Sequence, residues 1–154
     1  MVTGTITMIQ CLQPATGTDL GVNSALANLP NLLPSQLGSN PLGAVANLIA
    51  AIDRAQANPD DLYITKGAKG NENAIWPGPG RNELTYRDQT KTPNVAVPFY
   101  GSQNISLWDY DSGSSDDLLG SITMKEEERG LGVLAKVAFS VQEGSVYYVF
   151  YRVD

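Results

Sequence analysis

The sequence has no histidine and only one cysteine in 154 residues. The absence of histidine removes the commonest general base, the usual zinc and copper ligand, and every catalytic pair of a serine or cysteine with an imidazole. A single cysteine, Cys11, excludes an internal disulfide framework and a thiolate metal site. Its position in an alternating run predicts a small buried core side chain.

Basic residues are also scarce. Ten Lys and Arg stand against sixteen Asp and Glu, which gives a formal net charge of -6. Nucleic-acid binding relies on clustered Lys and Arg, so a nucleic acid is a poor partner for this chain, whereas a cation suits it.

Long apolar runs are missing as well. No segment approaches the ~20 apolar residues of a membrane-spanning helix. The first residues, MVTGTITMIQC, are strand-like and do not form a charged region followed by an apolar one, so no signal peptide is visible. The sequence therefore leaves the compartment open, cytoplasmic or secreted. A chain of 154 residues with 42% apolar content is typical of one globular domain, here predicted to span residues 1–154.

Short alternating runs separated by Gly, Pro and Asn predict an all-β fold. The predicted strands are residues 4–12, 61–66, 83–87, 94–99, 104–108, 119–124, 133–140 and 145–153. Eight or nine such strands indicate an antiparallel sandwich of two sheets, which we predict with eight strands. The last run is apolar on both faces, which predicts a position inside a sheet and not at its edge. In the run before it, Val133, Ala135, Val137 and Phe139 are predicted to form one apolar face.

Residues 13–58 interrupt the strand pattern. They are rich in Pro, Gly, Asn and Leu, and no charged residue occurs from Leu20 to Ile52. Asn40-Pro41 resembles a helix start, and Leu42, Val45, Leu48, Ile49 and Ile52 follow at helical spacing. We therefore expect a helical insertion in the first loop of the sandwich. Its other face is small and uncharged, which favours contact with a protein partner or self-association.

The most informative stretch is Ile105–Gly120, ISLWDYDSGSSDDLLG. Its strand ends at Asp109, Asp111 lies on the same side, and the Ser-Gly turn returns Asp116 and Asp117 towards the first pair. Four carboxylates repel one another unless a cation lies among them. Oxygen ligands on a flexible loop favour Ca²⁺ over Mg²⁺. The alternative is a solvated turn without an ion.

An EF-hand is a further alternative for the same stretch, and it fails. The sixth position of such a loop should be Gly and is Ser114, and the twelfth should be Glu and is Gly120. The flanking segments are also predicted strands and not helices.

The acidic stretch closely resembles the third calcium-binding loop of C2 domains. That pattern is a strand ending in an aromatic residue, then Asp-x-Asp, five residues, Asp, two apolar residues and Gly. Asp109, Asp111 and Asp117 fall on the three ligand positions, and Trp108 and Gly120 match the frame. The resemblance implies a C2-like β-sandwich that binds Ca²⁺, in the circularly permuted form whose first calcium loop follows strand one. Tyr110, between the two aspartates, belongs to the ligand set that the resemblance implies.

The family's first loop carries Asp-Pro-Tyr at the start of a strand, and Asp61-Leu62-Tyr63 occupies that place here. Asp61 is therefore the matching ligand. The family usually offers another Asp earlier in this loop. Asp60 should point away from Asp61 by strand alternation, and Asp53 lies on the predicted helix, so Asp19 is the residue we select.

The resulting prediction is a calcium-binding recognition module, with the ion held between loops one and three and the loops contacting a protein or membrane surface. The tip of the third loop, residues 112–115, is only Ser and Gly, so calcium-dependent membrane contact is expected to be weak. The alternative is a structural or self-associating sandwich in which calcium only stabilises the fold. No enzyme activity is expected, because the acids share one loop and do not face each other across a cleft.

Overall fold

The computed structural model describes residues 1–15 and 58–154. Within these ranges the chain forms nine strands: β1 (Val2–Gln13), β2 (Asp60–Thr65), β3 (Glu83–Thr85), β4 (Thr90–Lys91), β5 (Val95–Phe99), β6 (Ser102–Asp109), β7 (Asp117–Lys125), β8 (Leu134–Ser140) and β9 (Ser145–Val153). Short 3-10 turns occur at Asn71–Asn73 and Glu126–Glu128. No helix in the described parts of the chain is long and apolar enough to cross a membrane.

The strands form two antiparallel sheets that pack as a sandwich. The four-stranded sheet has the order β3-β2-β6-β7, and the five-stranded sheet has the order β4-β1-β9-β8, with β5 also pairing with β1. The predicted sandwich is therefore confirmed at this level. The predicted count of eight strands is wrong for the described residues, because the two-residue β4 opposite Ile9 and Gln10 is too short to produce an alternating pattern.

The last strand, β9, lies between β1 and β8, as its two apolar faces predicted. Its core face carries Tyr147, Val149 and Tyr151, all fully buried. On the other face Tyr148 is buried and its ring lies against that of Phe150, 5.8 Å between centroids. A strand with neighbours on both sides pairs all its backbone groups, so both faces can be apolar without exposing an edge.

The core lies between the sheets and is built from alternate residues of each long strand. Its fully buried members include Ile6, Ile9, Cys11, Leu62, Ile64, Leu107, Leu119, Tyr147, Val149 and Tyr151. Cys11 is 0% exposed, and burial raises the pKa of its thiol to about 12, so it behaves as the small core side chain that was predicted.

On β8 the predicted apolar face, that of Ala135, Val137 and Phe139, is not the one that enters the core cluster, although Val137 is buried. Ala138 lies fully in the core with Leu134 packed beside it, whereas Val133 precedes the strand and is 63% exposed. The core face therefore contains the even-numbered residues. A shift of one residue exchanges the two faces of a strand, so the alternating pattern of this run does not by itself determine which face packs on the core.

The predicted helical insertion lies almost wholly outside the described residues. At its start, Gln13 is still part of β1 and fully buried, so the first strand continues one residue further than its alternating pattern indicated. The prediction that residues 1–154 form one domain stays a prediction.

Gly120 brings β7 against the backbone of β8 in the other sheet. A Cβ atom on residue 120 would lie 2.3 Å from the backbone nitrogen of Phe139, and its φ is +142°. Only glycine accommodates both this conformation and this contact between backbones. The residue that completes the acidic sequence motif therefore also sets how closely the two sheets approach.

Candidate metal centre

The predicted ligands that lie within the described residues gather at one end of the sandwich, which we call the acidic end. β2 begins there, β6 ends there at Asp109, and β7 begins there at Asp117. Asp109 and Asp117 are directly opposite each other in the β6–β7 pair, and Asp109 is also opposite Leu62, the neighbour of Asp61. Antiparallel pairing thus places carboxylates from two loops side by side.

Four carboxylates form what we call the acidic cluster: Asp61, Asp109, Asp111 and Asp117. The backbone N–H of Asp61 donates to Oδ1 of Asp109 at 2.6 Å, and the N–H of Tyr110 donates to the carbonyl of Asp61 at 3.0 Å. These two hydrogen bonds tie the start of β2 to the end of β6. Asp61 and Asp109 are therefore fixed relative to each other before any ion binds.

The electrostatics of the acidic cluster are centred on Asp109. The pKa of its carboxyl is raised to about 6, chiefly by partial burial and in addition by the charges of Asp111, Asp61 and Asp117, while the hydrogen bond from the Asp61 N–H lowers it. Each neighbouring carboxylate disfavours a negative charge on Asp109. A bound cation would reverse this effect.

Asp116 takes a different role from the other acids of the loop. Its Oδ2 accepts a hydrogen bond from the Tyr63 hydroxyl at 2.6 Å, and its Oδ1 accepts one from the backbone N–H of Asp111 at 3.2 Å. Both oxygens are therefore used to hold the loop in shape. The sequence grouped Asp116 with the convergent carboxylates, but its contacts make it an anchor of the loop.

Asp60 points to the opposite side of β2 from Asp61, as strand alternation predicted. It is 1% exposed, and it accepts hydrogen bonds from the Tyr147 hydroxyl and, at 3.0 Å, from the backbone N–H of Ala15. Burial raises the pKa of the Asp60 carboxyl to about 7, although the hydrogen bond from Tyr147 opposes this shift. Asp60 thus belongs to the interior of the sandwich and not to the acidic cluster.

Glu143, in the turn between β8 and β9, was missed by sequence reasoning. Partial burial and the nearby charges of Asp117 and Asp111 raise the pKa of its carboxyl. The turn therefore brings a fifth carboxylate, from the other sheet, towards the acidic cluster. A lone Glu between Gln and Gly carries no sequence signal for such a position, because only the packing of the two sheets creates it.

Two predicted ligands remain. Asp19 lies outside the described residues. Tyr110 lies in the loop directly after β6, with 37% of its surface exposed, and its backbone contributes the contact to Asp61 described above.

The donor set fits a hard divalent cation, since every candidate atom is an oxygen and the carboxylates outnumber nearby cations. As the side chains stand, however, no three of them in residues 1–15 and 58–154 are close enough together to hold a metal ion. Like charges spread apart when nothing compensates them. Coordination would thus require the loop carboxylates to turn inward around the ion.

No protein-family model matches the chain, and no curated protein does. Among solved structures, two of human GIVD cytosolic phospholipase A2 align with 99% of this chain. One contains methyl gamma-linolenyl fluorophosphonate (14% identity, TM-score 0.41) and the other that inhibitor with terbium chloride (16% identity, TM-score 0.37). The chain spans 17% of the length of these phospholipase chains. This level of similarity transfers neither residues nor activity, and the sandwich described above rests on its own strand order and packing.

Proposed function

We propose that this chain is a calcium-binding, C2-like recognition module without catalytic activity. Asp61, Asp109, Asp111 and Asp117 hold the ion between the first and third loops, with the Tyr110 backbone beside them. The ion orders these loops so that the acidic end contacts the surface of another molecule. Asp19 remains a proposed ligand from the first loop.

The observation that carries the proposal is the opposition of Asp109 and Asp117 across β6 and β7, with Asp61 joined to Asp109 by a hydrogen bond. Carboxylates in this arrangement destabilise one another: burial is the main cause that raises the pKa of Asp109 to about 6, and the charges of the neighbouring carboxylates add to it. The sequence places them at the spacing of a C2 calcium loop. A divalent oxygen-seeking cation would neutralise the repulsion, and Ca²⁺ tolerates the irregular geometry of such loops better than Mg²⁺.

The exposed side chains around the acidic cluster favour a recognition role. Apolar side chains at this end remain in solvent: Leu84, Tyr86, Tyr110, Leu118 and Val141, with exposed fractions between 37% and 49%. They lie on strands and turns that reach this end, while the tip at residues 112–115 is entirely Ser and Gly. A rim of aromatic and aliphatic groups around a polar centre suits a protein surface better than insertion into lipid.

A structural role for calcium is the second candidate. The Tyr63 hydroxyl and the Asp111 N–H already hold Asp116, so the third loop is attached to the sandwich without a partner. In that case calcium would stabilise the fold and recruit nothing. The proposed protein contact or self-association through residues 13–58 falls outside the described residues and stays a prediction.

Calorimetric titration of the chelator-treated protein with CaCl₂ tests ion binding directly. We expect a saturable heat that is lost in the double variant Asp109→Asn with Asp111→Asn. The matched control is Glu126→Gln with Glu127→Gln, which removes the same charge from two exposed residues beyond the other end of β7. Equal loss in both double variants, or no binding by the wild-type chain, would contradict the proposal.

Sedimentation separates recognition from stabilisation. The protein is centrifuged with anionic phosphatidylserine-containing liposomes and, separately, alone over a range of protein concentrations, each with calcium and with chelator. We expect little pelleting with liposomes and calcium-dependent association of the protein alone. Strong calcium-dependent pelleting with liposomes would mean that the module recognises a membrane and not a protein surface. No calcium dependence in either assay would favour the structural role of calcium.

A further inference from the structure

The connection between β2 and β3, residues 66–82, folds back over the outer face of the four-stranded sheet. Ala74 packs against Tyr63 and Trp108, and the N–H of Gly70 donates to the Tyr63 hydroxyl at 3.2 Å. The backbone N–H of Ile64 donates to the carbonyl of Trp76 at 2.9 Å, and the N–H of Ile75 donates to the carbonyl of Ile64 at 2.8 Å. This packing returns the loop to the acidic end after β2 has led away from it.

The loop at residues 66–82 places Lys69 at the acidic end. Its ammonium donates to the Oγ of Ser115, at the tip of the acidic loop, and lies 5.8 Å from the ring centroid of Trp108. The same lysine lines a surface cavity of about 250 Å³ together with Trp108, Asp116, Asp117, Ser140 and Glu143. Lys69 is thus a cation, held by Ser115 and Trp108, at a cavity that three carboxylates also line.

A tethered ammonium has opposite effects on the two states of the site. Without a metal ion it partly offsets the repulsion among the carboxylates. With a divalent ion bound it is a nearby positive charge, which opposes binding. Two charges of +2 and +1 about 8 Å apart in water change an equilibrium constant by about fivefold, and closer approach or lower polarity increases this factor.

We propose that Lys69 is a built-in competing cation that sets the calcium affinity of the acidic end. This inference rests on the proposed function for its calcium part. The ammonium lies against the acidic loop when the ion is absent. When the ion binds, the ammonium either moves towards solvent or stays and lowers the calcium affinity by repulsion. The loop at residues 66–82 consequently weakens calcium binding and stabilises the metal-free form.

The test compares Lys69→Gln with Lys66→Gln. Both variants remove one positive charge from the same exposed stretch, but Lys66 follows β2 directly and does not line the cavity. Glutamine at position 69 can still donate to Ser115, so the variant changes charge more than contact. Calcium titration should give a Kd about fivefold lower for Lys69→Gln and within about twofold of wild type for Lys66→Gln. In chelator, Lys69→Gln should melt at a lower temperature than Lys66→Gln.

Unchanged calcium binding by Lys69→Gln would overturn the competing role. Weaker calcium binding would overturn it too, because it would show that the lysine supports the calcium-bound form. Absence of calcium binding by the wild-type chain would overturn the proposed function together with the affinity-setting role. The melting temperatures in chelator test the pairing of Lys69 with Asp117 separately, by a double-mutant cycle of Lys69→Gln and Asp117→Asn. Equal melting-temperature losses from Lys69→Gln with and without Asp117→Asn would overturn that pairing.

Discussion

Asp60 and Asp61 are consecutive carboxylates on β2 that end in two different environments. Asp60 enters the sandwich, where the Tyr147 hydroxyl and the Ala15 N–H donate to it. Asp61 belongs to the acidic cluster, where the neighbouring groups are mostly other carboxylates. A buried acid satisfied by neutral donors is a structural element, whereas surface acids that face one another gain most from a cation. The predictions below test this contrast.

The largest effect is expected at Asp60. Replacing Asp60 by Ala leaves the Tyr147 hydroxyl and the Ala15 N–H without their acceptor in a buried site. Each unsatisfied buried group costs about 1–3 kcal/mol, so we expect the free energy of unfolding to fall by about 3 kcal/mol in urea denaturation at pH 6.

The control for this variant is its neighbour. Asp61→Ala, measured in chelator, should change the free energy of unfolding by less than about 0.5 kcal/mol, because within residues 1–15 and 58–154 no buried donor bonds to its side chain. Comparable losses in the two variants would remove the distinction between the interior acid and the surface cluster.

The next effect is stabilisation by calcium. An ion that binds only the folded state raises the free energy of unfolding by about 2.7 kcal/mol at a hundredfold excess over Kd. Thermal melts in CaCl₂ and in chelator should therefore differ for the wild type and for Asp60→Asn, but not for Asp109→Asn with Asp111→Asn. Identical wild-type melting curves in CaCl₂ and in chelator would contradict calcium binding by the folded protein.

The pH dependence of the metal-free protein follows from the raised pKa values. The Asp60 pKa is about 7 in the folded state, against 3.8 as its ordinary value, so between these limits the folded state binds more protons than the unfolded state. The free energy of unfolding must then decrease as pH rises through this window, by about 2 kcal/mol between roughly pH 5 and 7. Urea denaturation in chelator measures it. Asp60→Asn should flatten the decrease, leaving the smaller contribution of Asp109; a rise in stability over this range would contradict the assignment.

The smallest effect concerns repulsion within the acidic cluster. Asp117→Asn in chelator should raise the free energy of unfolding by about 0.5 kcal/mol at most, since it removes one of the like charges around Asp109 at a partly exposed position. The gain should shrink in 0.5 M NaCl because salt screens surface charges. A loss of stability that persists at high salt would mean that the Asp117 carboxylate has a structural hydrogen-bonding role.

Local pattern was enough to predict much of the sandwich and the opposite directions of Asp60 and Asp61. Successive side chains of a strand point to opposite faces, and this does not depend on the rest of the chain. On β8 the same rule groups the odd-numbered apolar residues on one face but does not show which face is inner; the burial of Ala138 and the packing of Gly120 against the Ala138–Phe139 backbone identify it. Thr90–Lys91 was missed because two residues cannot display a period.

The parts of the candidate site that sequence did not predict are contacts between distant segments. Tyr63 and Asp116 are 53 positions apart, and Lys69 and Ser115 are 46 apart. Nothing in the composition of residues 66–82 indicates that this loop returns to the acidic end. Glu143 likewise approaches the acidic cluster only because the two sheets pack with their loop ends together.

Gly120 gives the acidic end a dimension fixed by main-chain contact. Asp117 lies three positions before the point where β7 touches the β8 backbone, and Glu143 lies four positions after Phe139 on the other sheet. Larger or smaller core side chains elsewhere would alter how tightly the sandwich is filled, yet the gap between these two carboxylates would stay nearly constant. A methyl group at position 120, by contrast, would push the sheets apart there and widen the mouth between the two loops. The distance between the two loops that an ion or a partner must bridge therefore depends on Gly120 having no side chain.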